Sequence, residues 1–342
     1  MADVLIFGAG SMGTVLGAYL SKAGLAADLV TRDKDHVQAL KTAGAKISGT
    51  VSFSAPPFDG RDGRGEAMIP SEIKKKYGII FLITKQQDNV VTAALLKNFI
   101  TPDGVLCSLQ NGIPEPALAE ILGKDKVLGC MCAWGANKTA PGCVDLTSDQ
   151  NSLTFGLGSM GDTQHPKINE VRAVLEKMCA VTTENNFIGV RWSKLLINAA
   201  FSGMSAVTGF NFGKIAAGKR SRDCALNVIK ECIDVCKAAK ITIEPVQGKD
   251  MVRLFYYTNG IQKLKASLIV PIAIRKHKAI TSSMLPDLDR GRLCEIDDIN
   301  GVVCSWGKKH GVPTPVNDKI VDIVHAIERG ERKYGPSNLD LF

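Results

Sequence analysis

No pair among the ten cysteines of this 342-residue chain has a disulfide or zinc layout. Cys130 and Cys132 are separated by one residue in an apolar run, and Cys232 and Cys236 lie four apart on a predicted helix. Neither pair is matched by a C-x-x-C or by a histidine pair that would complete a tetrahedral site. Buried, reduced thiols are expected, and no metal. A basic stripe is also missing. Lys and Arg number 42 against 34 Asp and Glu, a net charge of +8 that is scattered along the chain. That balance suits a small anionic ligand and argues against nucleic acid. Internal repeats and low-complexity tracts are absent. The apolar start belongs to a strand with no basic region before it, so no signal peptide is expected, and a cytoplasmic protein is. The longest uncharged stretch, Leu195 to Gly213, reaches membrane-span length but holds Asn198, Ser202, Ser205, Thr208, Asn211 and three glycines. A buried helix is expected there, not a membrane span.

What is present is a soluble globular composition, 45% hydrophobic and 22% charged, on a chain too long for one ordinary core. Two domains are expected. The uninterrupted apolar run Val4-Leu5-Ile6-Phe7 predicts a strand buried on both faces. Gly8, Gly10 and Gly13 follow with G-x-G-x-x-G spacing, and Val15, Leu16, Tyr19 and Leu20 then recur at helical period. Strand, glycine turn and helix together predict a dinucleotide site. Gly8 allows the tight turn, Gly10 lets the backbone approach a pyrophosphate, and Gly13 lets the helix pack closely on the strand. The helix start, Ser11 and Met12 included, turns its N–H groups to the phosphates.

The second predicted strand, Ala27–Thr31, ends in Arg32 and Asp33. An acidic residue here takes the ribose 2′-hydroxyl of NAD, whereas an arginine takes the 2′-phosphate of NADP. Both types are present; Arg32 lies nearer the strand end, so NADPH is expected over NADH. The alternative is that Asp33 caps the helix Lys34–Thr42 and Arg32 is solvated. Ser54 to Ser71, rich in proline, glycine and charge, predicts an exposed loop. Tyr77–Thr84 predicts a strand that delivers Lys85, and Val105–Leu109 one that delivers Gln110, Asn111 and Gly112. Ligands gather at the carboxyl ends of such strands, which raises Lys85 above a solvated lysine and Asn111 above a turn residue. Leu128–Ala136 and Gly142–Gly158 are expected to complete the sheet, and Ile168–Met178 to form a helix.

From about Phe187 the strand pattern gives way to helical periodicity, as in Val228, Ile229, Cys232, Ile233, Cys236 and Ala239. The expected domains are residues 1–186 and 187–342. On the first helix of the second domain Lys194, Asn198 and Ser202 stand four apart, which places them on one α-helical face. A lysine held against apolar surface loses some preference for its charged form and becomes a better proton donor near neutral pH. The alternative is that Lys194 snorkels to water. Glu295 precedes the apolar positions Ile296, Ile299, Val302, Val303 and Trp306. It either complements a helix dipole or accepts a hydrogen bond from a substrate hydroxyl.

These segments together resemble the ketopantoate reductase (2-dehydropantoate 2-reductase) family. The shared signatures are FGAGSMG, TKQQ around Lys85, LQNGI around Asn111, WSKLLIN around Lys194, SSMLPDLDRGRLCEIDDING, and HGVPTPVN ending at Asn317. The resemblance implies an α/β N-terminal Rossmann domain followed by an all-α C-terminal domain like that of 6-phosphogluconate dehydrogenase, with the active site in the cleft between. It implies NADPH-dependent reduction of ketopantoate to pantoate, a step toward pantothenate and coenzyme A, with Lys194 as general acid. Glu295 would bind the substrate hydroxyl, Asn198, Ser202 and Ser283 would hydrogen-bond the substrate, and Asn111 would touch substrate or cofactor. Gly8, Ala9, Gly10, Ser11, Met12, Gly13, Arg32 and Lys85 would hold the cofactor. The family's second Asn and following Pro are replaced here by Ser202 and Gly203, which opens reduction of another bulky 2-oxo acid as an alternative; a non-catalytic nicotinamide-binding regulator is a further one. The basic run Arg275-Lys276-Lys278 beyond Pro271 is a solvated face or steers an anionic substrate. A small-molecule substrate, no nucleic acid and no membrane are expected, and the apolar helices allow a homodimer.

Overall fold

The computed structural model describes residues 3–161, 163–246 and 248–342, in two compact units. The first unit runs to Gln110 and resumes from Pro114 to Phe187; the second comprises Asn111–Ile113 and Ile188–Phe342.

In the first unit the chain alternates strands and helices: β1 (Val4–Phe7), α1 (Ser11–Lys22), β2 (Ala27–Val30), α2 (Lys34–Ala43), β3 (Ala45–Gly49), β4 (Phe53–Ala55), β5 (Ala67–Met68), β6 (Tyr77–Leu82) and α3 (Asn89–Leu96). It continues through β7 (Ile100–Ser108), α4 (Glu115–Leu122), β8 (Val127–Cys132), β9 (Ala136–Ala140), β10 (Cys143–Leu146), β11 (Thr154–Gly158), α5 (Ile168–Leu175) and β12 (Ala180–Glu184). Eight strands form one sheet in the order β12-β11-β8-β7-β6-β1-β2-β5, parallel throughout except where β11 meets β8. β1 lies inside it, with Val4 opposite Ala27 on one side and Ile79 on the other. Alternation along β1 explains its all-apolar sequence. Val4 and Ile6 enter one core with Leu16, Leu20 and Leu29, whereas Leu5 and Phe7 enter the other with Val30, Ile80 and Leu82.

Two strand expectations are corrected. β9 and β10 do not complete the main sheet but join β3 and β4 in a four-stranded sheet ordered β4-β3-β10-β9, which packs on α1. β9 reads Ala-Asn-Lys-Thr-Ala and is mostly exposed, a composition suited to an edge and not to a doubly buried interior. The Ser54–Ser71 segment is not one exposed loop. Phe58 is buried, and Ala67 and Met68 pair with β2. The prolines and glycines confine the turns, while the few apolar residues between them are drawn into the core.

The second unit is helical: α6 (Phe187–Ile197), a π-helical turn at Asn198–Ser202, α7 (Gly203–Thr208), α8 (Phe212–Ala217), α9 (Lys219–Ala238), α10 (Met251–Phe255), α11 (Gly260–Ile274), α12 (Leu285–Asp289), α13 (Ile296–His310) and α14 (Pro315–Glu328). The uncharged Leu195–Gly213 stretch is therefore divided, and Gly209, at φ +72°, ends α7. Among the described residues no helix is long and apolar enough to cross a membrane. Pro271 does not interrupt α11: it stands in the exposed last turn, and the helix runs on to Ile274.

One buried polar chain ties this unit together. The Glu231 carboxylate on α9 accepts the backbone N–H groups of Val316 (2.9 Å) and Asn317 (3.0 Å) and the Asn317 side-chain amide (2.7 Å). It thereby satisfies first-turn donors of α14, which have no acceptor within their own helix. Asn317 Oδ1 accepts from Asn300 Nδ2 on α13 at 2.9 Å. Burial holds the Glu231 carboxyl above its ordinary value even though these hydrogen bonds pull it down.

Removing Glu231 leaves two helix N–H groups and an amide buried without an acceptor. Glu231→Ala should lower the stability of the helical unit by about 3 kcal/mol or more. The urea midpoint of its circular-dichroism transition should fall accordingly, and an unchanged midpoint would contradict the role given to the carboxylate.

Candidate functional site

The turn between β1 and α1 forms a cradle that only glycines allow. Gly8 has φ +108°, and a Cβ there would stand 2.7 Å from the backbone of Ile83 and Thr84. A Cβ on Gly13 would stand 2.4 Å from the Gly8 carbonyl oxygen, whereas one on Gly10 would meet nothing within 4 Å. Turn and packing are thus closed at Gly8 and Gly13, and the space beside Gly10 is open. The Val30 carbonyl accepts from both Gly8 N–H (2.9 Å) and Ala9 N–H (2.8 Å), and Gly10 N–H donates to Gly8 (2.7 Å). This leaves Ser11, Met12 and Gly13, at the start of α1, with N–H groups that have no intrahelical acceptor. Such a cradle fits a diphosphate.

A buried relay fixes the loop from behind. Gly142 N–H donates to His36 Nδ1 at 3.0 Å, so the proton of the neutral ring is on Nε2. His36 Nε2 donates to Thr14 Oγ1 at 2.9 Å, and Thr14 Oγ1 donates to the Ala9 carbonyl at 3.3 Å. Thr14 and His36 are fully buried. Burial, with a smaller contribution from the Lys138 charge, pushes the imidazole down to about 4.

At the end of β2, Asp33 caps α2, its Oδ1 accepting from His36 N–H at 3.0 Å. Its Oδ2 accepts from Lys138 Nζ at 2.5 Å. Arg32 pairs with Asp88 at 2.7 Å and is 78% exposed. Lys85, exposed, precedes a short 3₁₀ turn at the end of β6. Beneath that turn Gln110 Nε2 donates to the Thr84 carbonyl (2.8 Å) and Asn89 Oδ1 (2.7 Å), joining the ends of β6 and β7. Asn111 follows, half-buried, before Gly112 at φ +71°.

In the second unit Lys194 is half-buried on α6, and Asn198 opens the π-helical turn one turn later. The regular α-helix expected through Lys194, Asn198 and Ser202 is corrected here. Gly203 N–H donates to Asn198, five residues back, so the helix phase shifts between Asn198 and Ser202. Asn300 Nδ2 takes the Ala199 carbonyl at 3.1 Å, the group that Gly203 N–H would hold in an α-helix. A Cβ at Gly203 would lie 2.5 Å from Asn300 Oδ1, so this glycine is what admits Asn300. Ser202 is buried, whereas Ser283 is exposed on the loop before α12. Glu295, 8% exposed, sits at the N-cap of α13, where its side chain makes no capping bond. One turn on, burial and the charges of Glu295 and Asp297 raise the Asp298 carboxyl to about 7, which makes the charge beside Glu295 change across neutral pH.

Sequence reasoning missed the His36 relay, Asn300, Asp298 and Lys138. Lys138 is 105 residues from its partner Asp33, and no spacing rule connects them. The ten cysteines are thiols, mostly buried, and burial pushes Cys224 up to about 11. Among the described residues no cluster of His, Cys, Asp and Glu could hold a metal ion.

Residues 4–159 match the family model for ketopantoate reductase PanE/ApbA, and residues 186–328 the model for its C-terminal domain. The chain belongs to the ketopantoate reductase family. This is a family of nicotinamide-dependent oxidoreductases, and the α/β unit followed by a helical unit is its fold. The 2-dehydropantoate 2-reductase of Archaeoglobus fulgidus is 27% identical over 96% of this chain and 98% of its own. That of Aquifex aeolicus is 26% identical over 95% and 96%. Among solved structures, a D-mandelate dehydrogenase with NADH and anilino(oxo)acetate superposes at TM-score 0.79 with 23% identity, covering 96% of this chain and 99% of that one. A ketopantoate reductase of Ralstonia eutropha superposes at 0.78 with 22% identity over the same shares. At those identities the two structures attest the fold.

The His36 relay has a pH signature. The unfolded chain protonates the imidazole below about 6.5, while the native ring stays neutral to about 4. The unfolded state therefore binds more protons in that window, and stability falls as pH drops through it. Urea unfolding between pH 7 and pH 4 should show this loss in wild-type protein and a shallower slope in His36→Gln. Equal slopes would contradict the buried neutral ring.

Proposed function

We propose that this protein reduces a 2-oxo acid with NADPH, and that ketopantoate, reduced to pantoate, is its substrate. Residues 1–186 bind the cofactor and residues 187–342 supply the acid and the substrate contacts. The carrying observation is in the helical unit: a half-buried lysine, Lys194, and a buried carboxylate, Glu295, on elements locked by one polar chain. The curated 2-dehydropantoate 2-reductases named above support this reading.

A bound reduced nicotinamide would supply a hydride for C2 of the substrate. Negative charge then develops on the carbonyl oxygen, and Lys194 meets it with a positive charge and a proton. Asn198 and Ser202 donate or accept hydrogen bonds along the substrate. Glu295 accepts from the distal hydroxyl, and a site built to hold that hydroxyl rejects an acid lacking it. Gly8–Gly13 holds the pyrophosphate, Arg32 the 2′-phosphate, and Lys85 and Asn111 the cofactor near the strand ends. One observation favours a second reading. Ser202 replaces the longer amide of the family pattern, which leaves more room for a bulkier 2-oxo acid at that end, while the space beside Gly203 is taken by Asn300.

Lys194→Ala should lower kcat by about 10²- to 10⁴-fold while calorimetry shows NADPH binding unchanged. Near-normal turnover would remove the assigned acid. Glu295→Gln should raise KM for ketopantoate by about tenfold with kcat nearly kept, since a charged acceptor becomes a neutral one. A KM equal to wild type would remove the assigned contact.

A further inference from the structure

The end of β2 carries Arg32 and Asp33 side by side, and an acidic residue at that place is what a dinucleotide fold uses to favour NAD. The second sheet changes what Asp33 can do. Lys138, on the edge strand β9, is anchored twice at this spot. Its backbone N–H donates to Ser11 Oγ, the first residue of α1, at 2.9 Å. Its ammonium donates to Asp33 Oδ2 at 2.5 Å. The other carboxylate oxygen of Asp33 is taken by the His36 backbone N–H at 3.0 Å, and the Asp33 N–H donates to Thr31 Oγ1 at 3.3 Å. Asp33 is thus a helix cap neutralised by a lysine, and its carboxyl lies below its ordinary value chiefly because of Lys138.

We propose that Lys138 is a cofactor-discriminating residue, which cancels the charge of Asp33 and, with Arg32, binds the 2′-phosphate of NADPH. The assignment rests on the NADPH reading above. An unscreened carboxylate here would repel a 2′-phosphate and accept a 2′-hydroxyl; the ammonium reverses both preferences. Among the described residues Arg32 is held by an exposed pair with Asp88, with side chains 78% and 48% exposed, so little opposes its turning to a phosphate. Lys138 is exposed, and its strand is pinned at Ser11 whatever its side chain. Substituting it changes charge at the site without opening the core.

The test is binding, not turnover. Calorimetry on the full chain measures Kd for NADP⁺ and NAD⁺, and for adenosine 2′,5′-bisphosphate and adenosine 5′-monophosphate. Lys138→Met, which keeps the stem and removes the charge, should weaken NADP⁺ and the 2′,5′-bisphosphate by about tenfold or more. NAD⁺ and the monophosphate should keep or gain affinity, since the unscreened carboxylate accepts a 2′-hydroxyl, which also shows that the variant is folded. Lys138→Arg should restore the preference. Equal weakening of both ligand pairs, or no weakening, overturns the assignment while leaving the NADPH reading intact if wild-type protein prefers NADP⁺. Wild-type protein that binds NAD⁺ at least as tightly overturns the NADPH reading and the Lys138 assignment with it.

Discussion

The α/β unit depends on the approach of α1 to the carbonyl of Gly8. A Cβ at Gly13 would stand 2.4 Å from that oxygen, a distance no side chain tolerates. With hydrogen in its place, the helix starts directly above the strand end, and its first N–H groups face the space beside Gly10. Gly17, one turn further along α1, repeats the condition against Leu29, where a Cβ would lie 2.5 Å from a methyl group. Three features around the glycine turn follow from that helix position: the open space, the relay behind Ala9, and the anchoring of β9 at Ser11.

The helical unit solves a different problem with buried polar groups. Asn300 holds the Ala199 carbonyl inside the π-helical turn, Asn317 holds Asn300, and Glu231 holds Asn317. The π-helical turn lies between two residues assigned to substrate, Asn198 and Ser202. It sets their relative direction, and it persists because Asn300 supplies the donor that an ordinary helix would take from its own backbone. Gly203 makes room for that amide. The glycine at this position is therefore a packing requirement.

Residues whose role is fixed by local chemistry were legible in the sequence. Val4–Phe7 had to be a doubly buried strand, and the glycine spacing after it had to make a tight turn. Asp33 was legible as a cap, and in the structure it caps α2. Features that need partners far along the chain were not legible. Lys138 reaches Asp33 from a strand of another sheet, and Gly142 reaches His36 across 106 residues. The apolar run after Lys194 also concealed the π-helical turn, because helical periodicity alone does not register the extra residue that Asn300 stabilises. Ala67 and Met68 were hidden for the opposite reason: two buried residues in a proline- and glycine-rich segment make too short a pattern to read.

The central claim is that the helical unit selects a 2-oxo acid by its distal hydroxyl. The most direct measurement is kcat/KM for NADPH oxidation with ketopantoate, compared with its analogue lacking that hydroxyl and with an aryl 2-oxo acid. Ketopantoate is expected to exceed both by about 10²-fold or more, since neither competitor carries the hydroxyl that a site built to hold it selects for. Comparable values for all three, or a preference for the aryl acid, would contradict it.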